Sequence, residues 1–349
     1  MRIDAMVTLE QFRAAQQRIA AVAVRTGLHR LLPERLKDAG VGPLPFVLYV
    51  KAESEQPIGS FKLRGGYNRI AQLSPEELKH GVITYSSGNH AQAVAYAART
   101  LGAKAVIVMP ENAPMIKREA SRAMGAEIVL VGPASSERKA RAEELAAKKG
   151  YTVIPPYDDP AIIAGQGTCG LEILDQLGPD AVEEALILSP VSGGGLLSGI
   201  ATAVKLAAPA GANVQVWGAE PELAADAKES FETKQLVEWP AAKTTRTICD
   251  GLRTQSLGNL NFEHIVRYVD GITTVSEDQI RASMRLMLQA TGLLAEPSGA
   301  VSLAAALFRQ DELPSRRTVV AVLSGGNLEP ELKRELEAST GIALPVERG

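Results

Sequence analysis

Short apolar runs alternate with longer helical stretches through the middle of this 349-residue chain. Four strand-like runs lie at 82–85, 105–109, 127–131 and 151–154, and alanine-rich or charged stretches with helical spacing separate them. Strands that alternate with helices predict a parallel sheet with helices on its faces. The segment 81–155 is therefore predicted to be a small α/β domain.

The pattern continues on both sides of this segment. Further strands are predicted at 46–52, 186–188, 214–218 and 318–323, and helices at 8–26, 168–177, 196–206 and 277–291, with loops at 33–45 and 155–168. We expect residues 1–80 and 156–349 to form a larger domain of the same α/β class, into which 81–155 is inserted.

Composition narrows the classes of partner. Charged residues make up 22% of the chain and the net charge is −3, which does not favour a nucleic-acid or membrane-surface partner. The two cysteines, Cys169 and Cys249, are far apart and indicate neither a disulfide framework nor a cysteine metal cluster. No apolar run reaches the roughly 18 residues of a spanning helix, and residues 1–21 contain no apolar leader segment. A cytoplasmic protein is the expectation.

Four loops share one position in the predicted fold. The loops at 59–66, 86–90, 192–196 and 324–328 each follow a predicted strand and precede a helix. In open parallel sheets, ligands bind outside the carboxyl ends of the strands. We therefore expect these loops to converge on one site.

The first of these loops contains Lys62 between Gly59 and Gly65. A lysine forms a Schiff base with an aldehyde cofactor only when burial or a helix N-terminus lowers its pKa. The alternative is an exposed lysine on a helix, which is the commoner situation for a lysine. For this octapeptide alone, the alternative is favoured.

Two other loops suit anions. Ser192-Gly193-Gly194-Gly195 offers backbone N–H groups at a helix N-terminus, which favours a phosphate. A tight turn that requires a positive φ is the alternative. The loop Ser87-Gly88-Asn89-His90 suits a carboxylate, although serine and asparagine are also ordinary helix caps.

Taken in order, these motifs resemble those of the threonine dehydratase and serine racemase family, the fold type II enzymes that depend on pyridoxal phosphate. The resemblance extends from about residue 10 to 330 and is closest to the serine racemase and 3-hydroxyaspartate dehydratase branch. The matching motifs are Gly59-Ser60-Phe61-Lys62-Leu63-Arg64-Gly65, Ser86-Ser87-Gly88-Asn89-His90, Ala164-Gly165-Gln166-Gly167-Thr168, Ser192-Gly193-Gly194-Gly195-Leu196, Glu296-Pro297-Ser298-Gly299-Ala300 and Ser324-Gly325-Gly326-Asn327.

The resemblance implies two open parallel-sheet domains with the active site in the cleft between them. It assigns the cofactor to residues from all four loops. Lys62 would form the Schiff base and remove the α-proton of the substrate, Phe61 would flank the ring, Asn89 would bond its phenolic oxygen and Ser324 would face its nitrogen. The phosphate would be held by the amides of Gly193, Gly194, Gly195 and Leu196. The hydroxyl of Ser192, where the family more often has glycine, would add a phosphate contact, and Gly65 and Gly66 would leave room for the cofactor.

The same resemblance assigns the substrate to the second loop. Ser87 would be the acid or base on the other face of the substrate, and Ser86, Ser87, Gly88, Asn89 and His90 would bind its carboxylate. Arg138 lies where family members that act on dicarboxylic substrates have an arginine, and a bidentate arginine suits a second carboxylate. An ordinary surface arginine on a charged helix is an equal alternative.

The segment 220–226 resembles the divalent-metal loop of the racemase branch. Glu220 and Asp226 would be carboxylate ligands and Ala224 a backbone carbonyl ligand of Mg²⁺ or Ca²⁺. By spacing alone, an acidic helix start is the better interpretation. Ala225 stands where an acidic residue is common, which would weaken the site.

The predicted reaction is β-elimination of water from serine, threonine or 3-hydroxyaspartate, which gives a 2-oxo acid and ammonia. A serine racemase is the main alternative. A β-replacement synthase and a non-catalytic binding protein are further alternatives, disfavoured by His90 and by the intact Lys62. The resemblance also implies a homodimer. Only about 20 residues follow Asn327, which argues against a regulatory domain.

Overall fold

The computed structural model describes residues 6–86, 88–113, 115–132 and 135–342. Within these ranges the chain forms two sheets flanked by helices. The strands are β1 Leu28–Arg30, β2 Val47–Ala52, β3 Val82–Thr84, β4 Ala105–Pro110, β5 Glu127–Val131, β6 Thr152–Val153, β7 Ala185–Pro190, β8 Gln215–Pro221, β9 Gly271–Val275 and β10 Thr318–Leu323.

The helices follow the strands in nearly regular alternation. They are α1 Leu9–Ile19, α2 Pro33–Asp38, α3 Lys62–Ile70, α4 Pro75–His80, α5 Asn89–Thr100, α6 Met115–Ala123, α7 Ser135–Lys149, α8 Pro160–Leu177, α9 Pro179–Val182, α10 Gly195–Ala207, α11 Asp226–Thr233, α12 Ala241–Thr244, α13 Asn259–Tyr268, α14 Glu277–Thr291, α15 Pro297–Phe308 and α16 Pro330–Thr340.

The two sheets divide the chain into two packing layers. The larger sheet has the order β1-β2-β10-β7-β8-β9, and all its neighbours are parallel except β1, which pairs antiparallel with β2. The smaller sheet has the order β5-β4-β3-β6 and is entirely parallel. Strands such as β7 and β10 are buried along their whole length, as expected when helices cover both faces. The predicted α/β class is confirmed.

Several predicted boundaries are wrong. The predicted loop at 33–45 contains α2, whose first residue is Pro33, a residue preorganised for the first helical position. The helix predicted to begin near 168 begins at Pro160, because Asp159 caps it by accepting from the amides of Ala161 and Ile162. The first helix ends at Ile19 rather than at residue 26.

Close helix packing explains the glycines of two motifs. A Cβ at Gly165 of α8 would overlap the carbonyl oxygen of Arg64 in α3, and one at Gly199 of α10 would overlap the backbone of α8. The glycines of α3 serve the same purpose: Gly65 faces Gln166 of α8, and Gly66 faces Ala93 of α5. The expectation that Gly65 and Gly66 leave room for a cofactor is therefore wrong, because neighbouring helices occupy that space.

The strand-end loops meet at the carboxyl edge of the larger sheet. The amide of Phe61 donates to Ser324 O at 3.0 Å, and the amide of Gly326 donates to Gly59 O at 3.0 Å. The side chain of Asn327 donates to Asn89 Oδ1 at 2.8 Å, which brings in the loop that follows β3 of the smaller sheet. No helix among the described residues is long and apolar enough to cross a membrane.

Candidate active site

Lys62 is the first residue of α3, directly after the loop that follows β2. Gly59 reaches this turn with a φ of +71°, and a Cβ there would overlap Asn327. The lysine is partly buried, and its Nζ donates to Pro156 O at 2.9 Å. Loss of hydration lowers the pKa of Lys62 to about 8. The alternative of an exposed lysine is therefore not what the structure has.

A buried ionic network anchors the helix that begins with Lys62. Arg64 is fully buried and makes paired hydrogen bonds with Glu53, at 2.7 and 2.8 Å, and with Glu172, at 2.7 and 2.8 Å. Lys51 donates to the same Glu172 at 2.6 Å. Burial alone would raise the pKa of Glu53, but the adjacent Arg64 lowers it. Residues from β2, α3 and α8 are thereby fixed relative to one another.

The glycine loop after β7 leads into α10 with its backbone exposed to the site. Gly194 has a φ of +96°, which only glycine adopts without strain, and Gly195 begins the helix. The first amides of an α-helix have no intrahelical acceptor, so those of Gly195 and Leu196 are available to an anion. Both the proposed phosphate site and the alternative of a turn requiring positive φ therefore describe this loop.

Tyr157 lies against this loop and was not identified from the sequence. A Cβ at Gly193 would overlap its ring, and one at Gly195 would lie 3.0 Å from its Cβ. Pro156, immediately before it, accepts the hydrogen bond from Lys62. The hydroxyl of Ser192 is 2.7 Å from Thr254 Oγ1, so the predicted additional phosphate contact is replaced here by a contact with Thr254.

The loop after β3 places Asn89 at the start of α5. Its Nδ2 donates to Glu296 Oε1 at 2.7 Å. His90 is buried and its Nε2 is 3.1 Å from Ile154 O, and burial lowers its pKa to about 3. The imidazole of His90 is thus occupied inside the smaller unit, which leaves its backbone as its contribution to a carboxylate site. Ser86 and Gly88 flank Ser87, which lies outside the described residues.

Ser324 follows β10 and is buried. Its Oγ is 3.5 Å from Ser298 O, at the limit of a hydrogen bond. The hydroxyl therefore has capacity for a second partner. This position at the sheet edge, beside Phe61, fits the predicted contact with a ring nitrogen.

Two of the predicted metal ligands are buried carboxylates. Glu220 Oε1 accepts from the amide of Lys228 at 2.7 Å, while Glu220 Oε2 and Asp226 Oδ2 have no hydrogen-bond partner in the described part of the chain. Burial, together with the charge of Asp226, raises the pKa of Glu220. Burial raises the pKa of Asp226 to about 7, although Asp226 begins α11, where a helix favours the charged form.

A hard cation would satisfy these two oxygens, with the nearby carbonyl of Ala224 as a third ligand. A group of three or more histidine, cysteine, aspartate or glutamate side chains suited to a metal does not occur among the residues that the structure describes. The donor set is thus two carboxylates and the main chain.

Arg138 lies on α7, next to the smaller sheet, and is half-buried. Loss of hydration lowers its pKa. The helix belongs to the same four-stranded unit as the loop at 86–90, which is compatible with a role in binding the substrate.

These loops define a class of protein: an open-sheet α/β protein with a partly buried lysine amine, a glycine-rich anion site and a buried hydroxyl at one sheet edge. Residues 30–325 match the family described as pyridoxal-phosphate dependent enzyme. The chain belongs to this family, and the cofactor is pyridoxal phosphate. The glycine loop, the amine of Lys62 and the hydroxyl of Ser324 fit a phosphate, an aldehyde and a ring nitrogen.

Individual relatives narrow the branch of the family. The chain is 39% identical over 285 residues to a serine racemase of Schizosaccharomyces pombe, covering 81% of this chain and 84% of the relative. It is 39% identical over 282 residues to the L-threo-3-hydroxyaspartate ammonia-lyase of Saccharomyces cerevisiae, covering 81% and 83%. The crystal structure of a threonine deaminase, whose source is abbreviated T.th., is 44% identical, with a TM-score of 0.83 and coverage of 92% and 99%. The predicted family and the fold type II architecture are confirmed.

Proposed function

We propose that this protein is a pyridoxal-phosphate-dependent ammonia-lyase that removes water from a 3-hydroxy amino acid. The observation that carries the proposal is Lys62, a partly buried amine with a pKa of about 8 where the strand-end loops meet. Such an amine is neutral often enough near neutral pH to act as both nucleophile and base. Relatives with the printed activities of threonine deaminase and hydroxyaspartate ammonia-lyase support this reaction class.

The residues divide the work by location. The bound cofactor supplies an electron sink for negative charge on the substrate Cα. Lys62 Nζ takes the α-proton, and the β-hydroxyl leaves with a proton as water. The amides of Gly193, Gly194, Gly195 and Leu196 hold the phosphate, Phe61 flanks the ring, and Ser324 and Asn89 hold its nitrogen and oxygen. Because a serine hydroxyl replaces a carboxylic acid at the ring nitrogen, that nitrogen stays largely unprotonated.

The substrate site comes from the smaller unit. Ser86, Ser87, Gly88, Asn89 and His90 bind the substrate carboxylate, and residues 81–155 form a substrate-clamp domain against the larger domain of 1–80 and 156–349. The position of α5 supports this, because its N-terminus offers amides to an anion.

The reaction is tested with the purified holoenzyme. Serine, threonine and 3-hydroxyaspartate stereoisomers are supplied, and release of 2-oxo acid and ammonia is measured. We expect Lys62→Ala to lose the visible band of the lysine-bound cofactor and all product formation, while Lys104→Ala, at an exposed position, retains both. A wild-type protein with no such band and no product would refute the proposal.

Arg138 selects 3-hydroxyaspartate within this proposal, by binding its second carboxylate. We expect Arg138→Ala to lower kcat/KM for hydroxyaspartate by at least about tenfold, the effect of about 1.4 kcal/mol, and to leave serine turnover nearly unchanged. Equal losses for both substrates would contradict the assignment.

Racemisation is the second candidate, supported by the likeness to the fission-yeast serine racemase. It requires an acid or base on the opposite face from Lys62, for which Ser87 is the candidate. Following D-serine and L-serine by chiral chromatography distinguishes the reactions. Ser87→Ala would abolish interconversion but retain elimination if this assignment is right.

Glu220, Ala224 and Asp226 bind Mg²⁺ or Ca²⁺ in this proposal, supported by the two buried carboxylate oxygens without hydrogen-bond partners among the described residues. We further propose a cytoplasmic homodimer that acts on small molecules rather than on nucleic acids or membranes. Light scattering coupled to size exclusion tests the dimer, and a monomer mass of 37.0 kDa would contradict it.

A further inference from the structure

Asn327 determines which way the amide of Asn89 faces. Its Nδ2 donates to Ile58 O at 2.9 Å and to Asn89 Oδ1 at 2.8 Å. A backbone carbonyl only accepts hydrogen bonds, so the Asn327 atom that faces Ile58 is the nitrogen. The same nitrogen faces Asn89, and therefore the oxygen of Asn89 points to Asn327.

Glu296 receives the other end of the Asn89 amide. Asn89 Nδ2 donates to Glu296 Oε1 at 2.7 Å, and Glu296 is only 5% exposed. The amide of Glu296 donates to Gly325 O at 3.1 Å. A Cβ at Gly325 would overlap Glu296 Oε1, just as one at Gly59 would overlap Asn327 Oδ1. The backbone on both sides is thus shaped to admit these two side chains.

The hydrogen bonds of Asn89 leave one donor over. Its oxygen is occupied by Asn327, and one of its two N–H groups is occupied by Glu296. We infer that Glu296 and Asn327 are positioning residues, which fix the amide of Asn89 so that its second N–H donates to the ring oxygen of the cofactor. This inference rests on the proposed function, in which Asn89 holds that oxygen.

The charges around Glu296 do not alter its role as an acceptor. Burial raises the pKa of Glu296 to about 8, Asp250 and Glu329 raise it further, and Lys117 lowers it. An ionised carboxylate accepts a hydrogen bond at either oxygen, and a protonated one accepts at its carbonyl oxygen. A glutamine at this position therefore preserves the contact with Asn89.

The test measures cofactor binding as well as activity. Apo-protein is titrated with pyridoxal phosphate by fluorescence, and the absorption maximum of the loaded protein is recorded with kcat and KM. We expect Glu296→Ala to weaken cofactor binding by about tenfold or more and to shift the absorption maximum in the same direction as Asn89→Ala. Glu296→Gln should restore most of the affinity and the wild-type absorption maximum.

A double-mutant cycle isolates the action through Asn89. The double variant Asn89→Ala/Glu296→Ala should bind the cofactor no more weakly than Asn89→Ala alone. Asn327→Asp replaces the donor with an acceptor, so the Asn89 amide should rotate and the variant should resemble Asn89→Ala. This variant keeps the test open if Glu296→Ala does not fold.

Additive losses in the cycle would overturn the inference, as would a glutamine variant as impaired as the alanine variant. An unchanged Glu296→Ala protein would also overturn it. Failure of the proposed function looks different, because the wild-type protein itself would then show neither the visible band nor 2-oxo acid release.

Discussion

The lowered pKa of Lys62 predicts how fast apo-protein captures its cofactor at each pH. Only a neutral amine attacks an aldehyde. With a pKa of about 8, about one Lys62 in four is neutral at pH 7.5, whereas an ordinary lysine with a pKa of 10.5 is neutral about once in a thousand. The capture rate should therefore rise about tenfold per pH unit well below pH 8 and level off above it.

Stopped-flow absorbance between pH 6 and pH 10 measures this rate. A capped lysine amide is treated in parallel, because dividing the protein rate by the rate of the free amine removes the titration of the cofactor itself. At pH 7.5 the neutral fraction of Lys62 exceeds that of the free amine about two hundredfold, and the advantage should disappear toward pH 10. Lys104→Ala serves as the matched control at an exposed lysine. A protein rate that follows the free amine across the whole range would refute the argument from burial.

Three further perturbations follow from the site and its support. Arg64→Met should lower the free energy of unfolding by about 3–5 kcal/mol, because two buried glutamates lose paired hydrogen bonds; chemical denaturation measures it, and Arg25→Met at an exposed ion pair should cost less than about 1 kcal/mol. Gly194→Ala should weaken pyridoxal phosphate binding at least several-fold through backbone strain of about 1–3 kcal/mol, whereas Gly211→Ala, at a similar positive φ in open space, should leave the affinity unchanged. Ca²⁺ or Mg²⁺ should raise the melting temperature of the wild type but not of Asp226→Asn; an equal rise in both would contradict the metal site.

The sequence predicts the sheets well because their strands are apolar runs with local punctuation. β5 at Glu127–Val131 and β10 at Thr318–Leu323 have the predicted boundaries, since glycine, proline or charged residues stand on both sides. β1 is only three residues long, and its pairing with β2 comes from tertiary contact rather than from a local pattern. Its partly exposed residues gave no apolar run to detect.

The site was predictable where a motif is contiguous and not where partners come from distant segments. Lys62 and the glycine loop stand out in the sequence, but Tyr157 lies in a loop without a motif, and its contact with Gly193 depends on how β6 ends. Glu296 belongs to a recognised motif, yet its role follows only from the 2.7 Å contact with a side chain 207 residues away. Spacing in the sequence contains no information on that distance.

The same separation in sequence places the cofactor contacts under the control of both sheets. Asn89 follows a strand of the smaller sheet, whereas Glu296 and Asn327 follow the edge of the larger one. Lys117 of α6 joins the two units by ion pairs with Asp250 at 2.6 Å and Glu329 at 2.7 Å. Because these two carboxylates also raise the pKa of Glu296, a displacement of the smaller unit that withdraws Lys117 leaves Glu296 facing uncompensated negative charge and favours its protonated form. The hydrogen bond that orients Asn89 and the electrostatics of its acceptor are therefore both set by the distance between the two sheets.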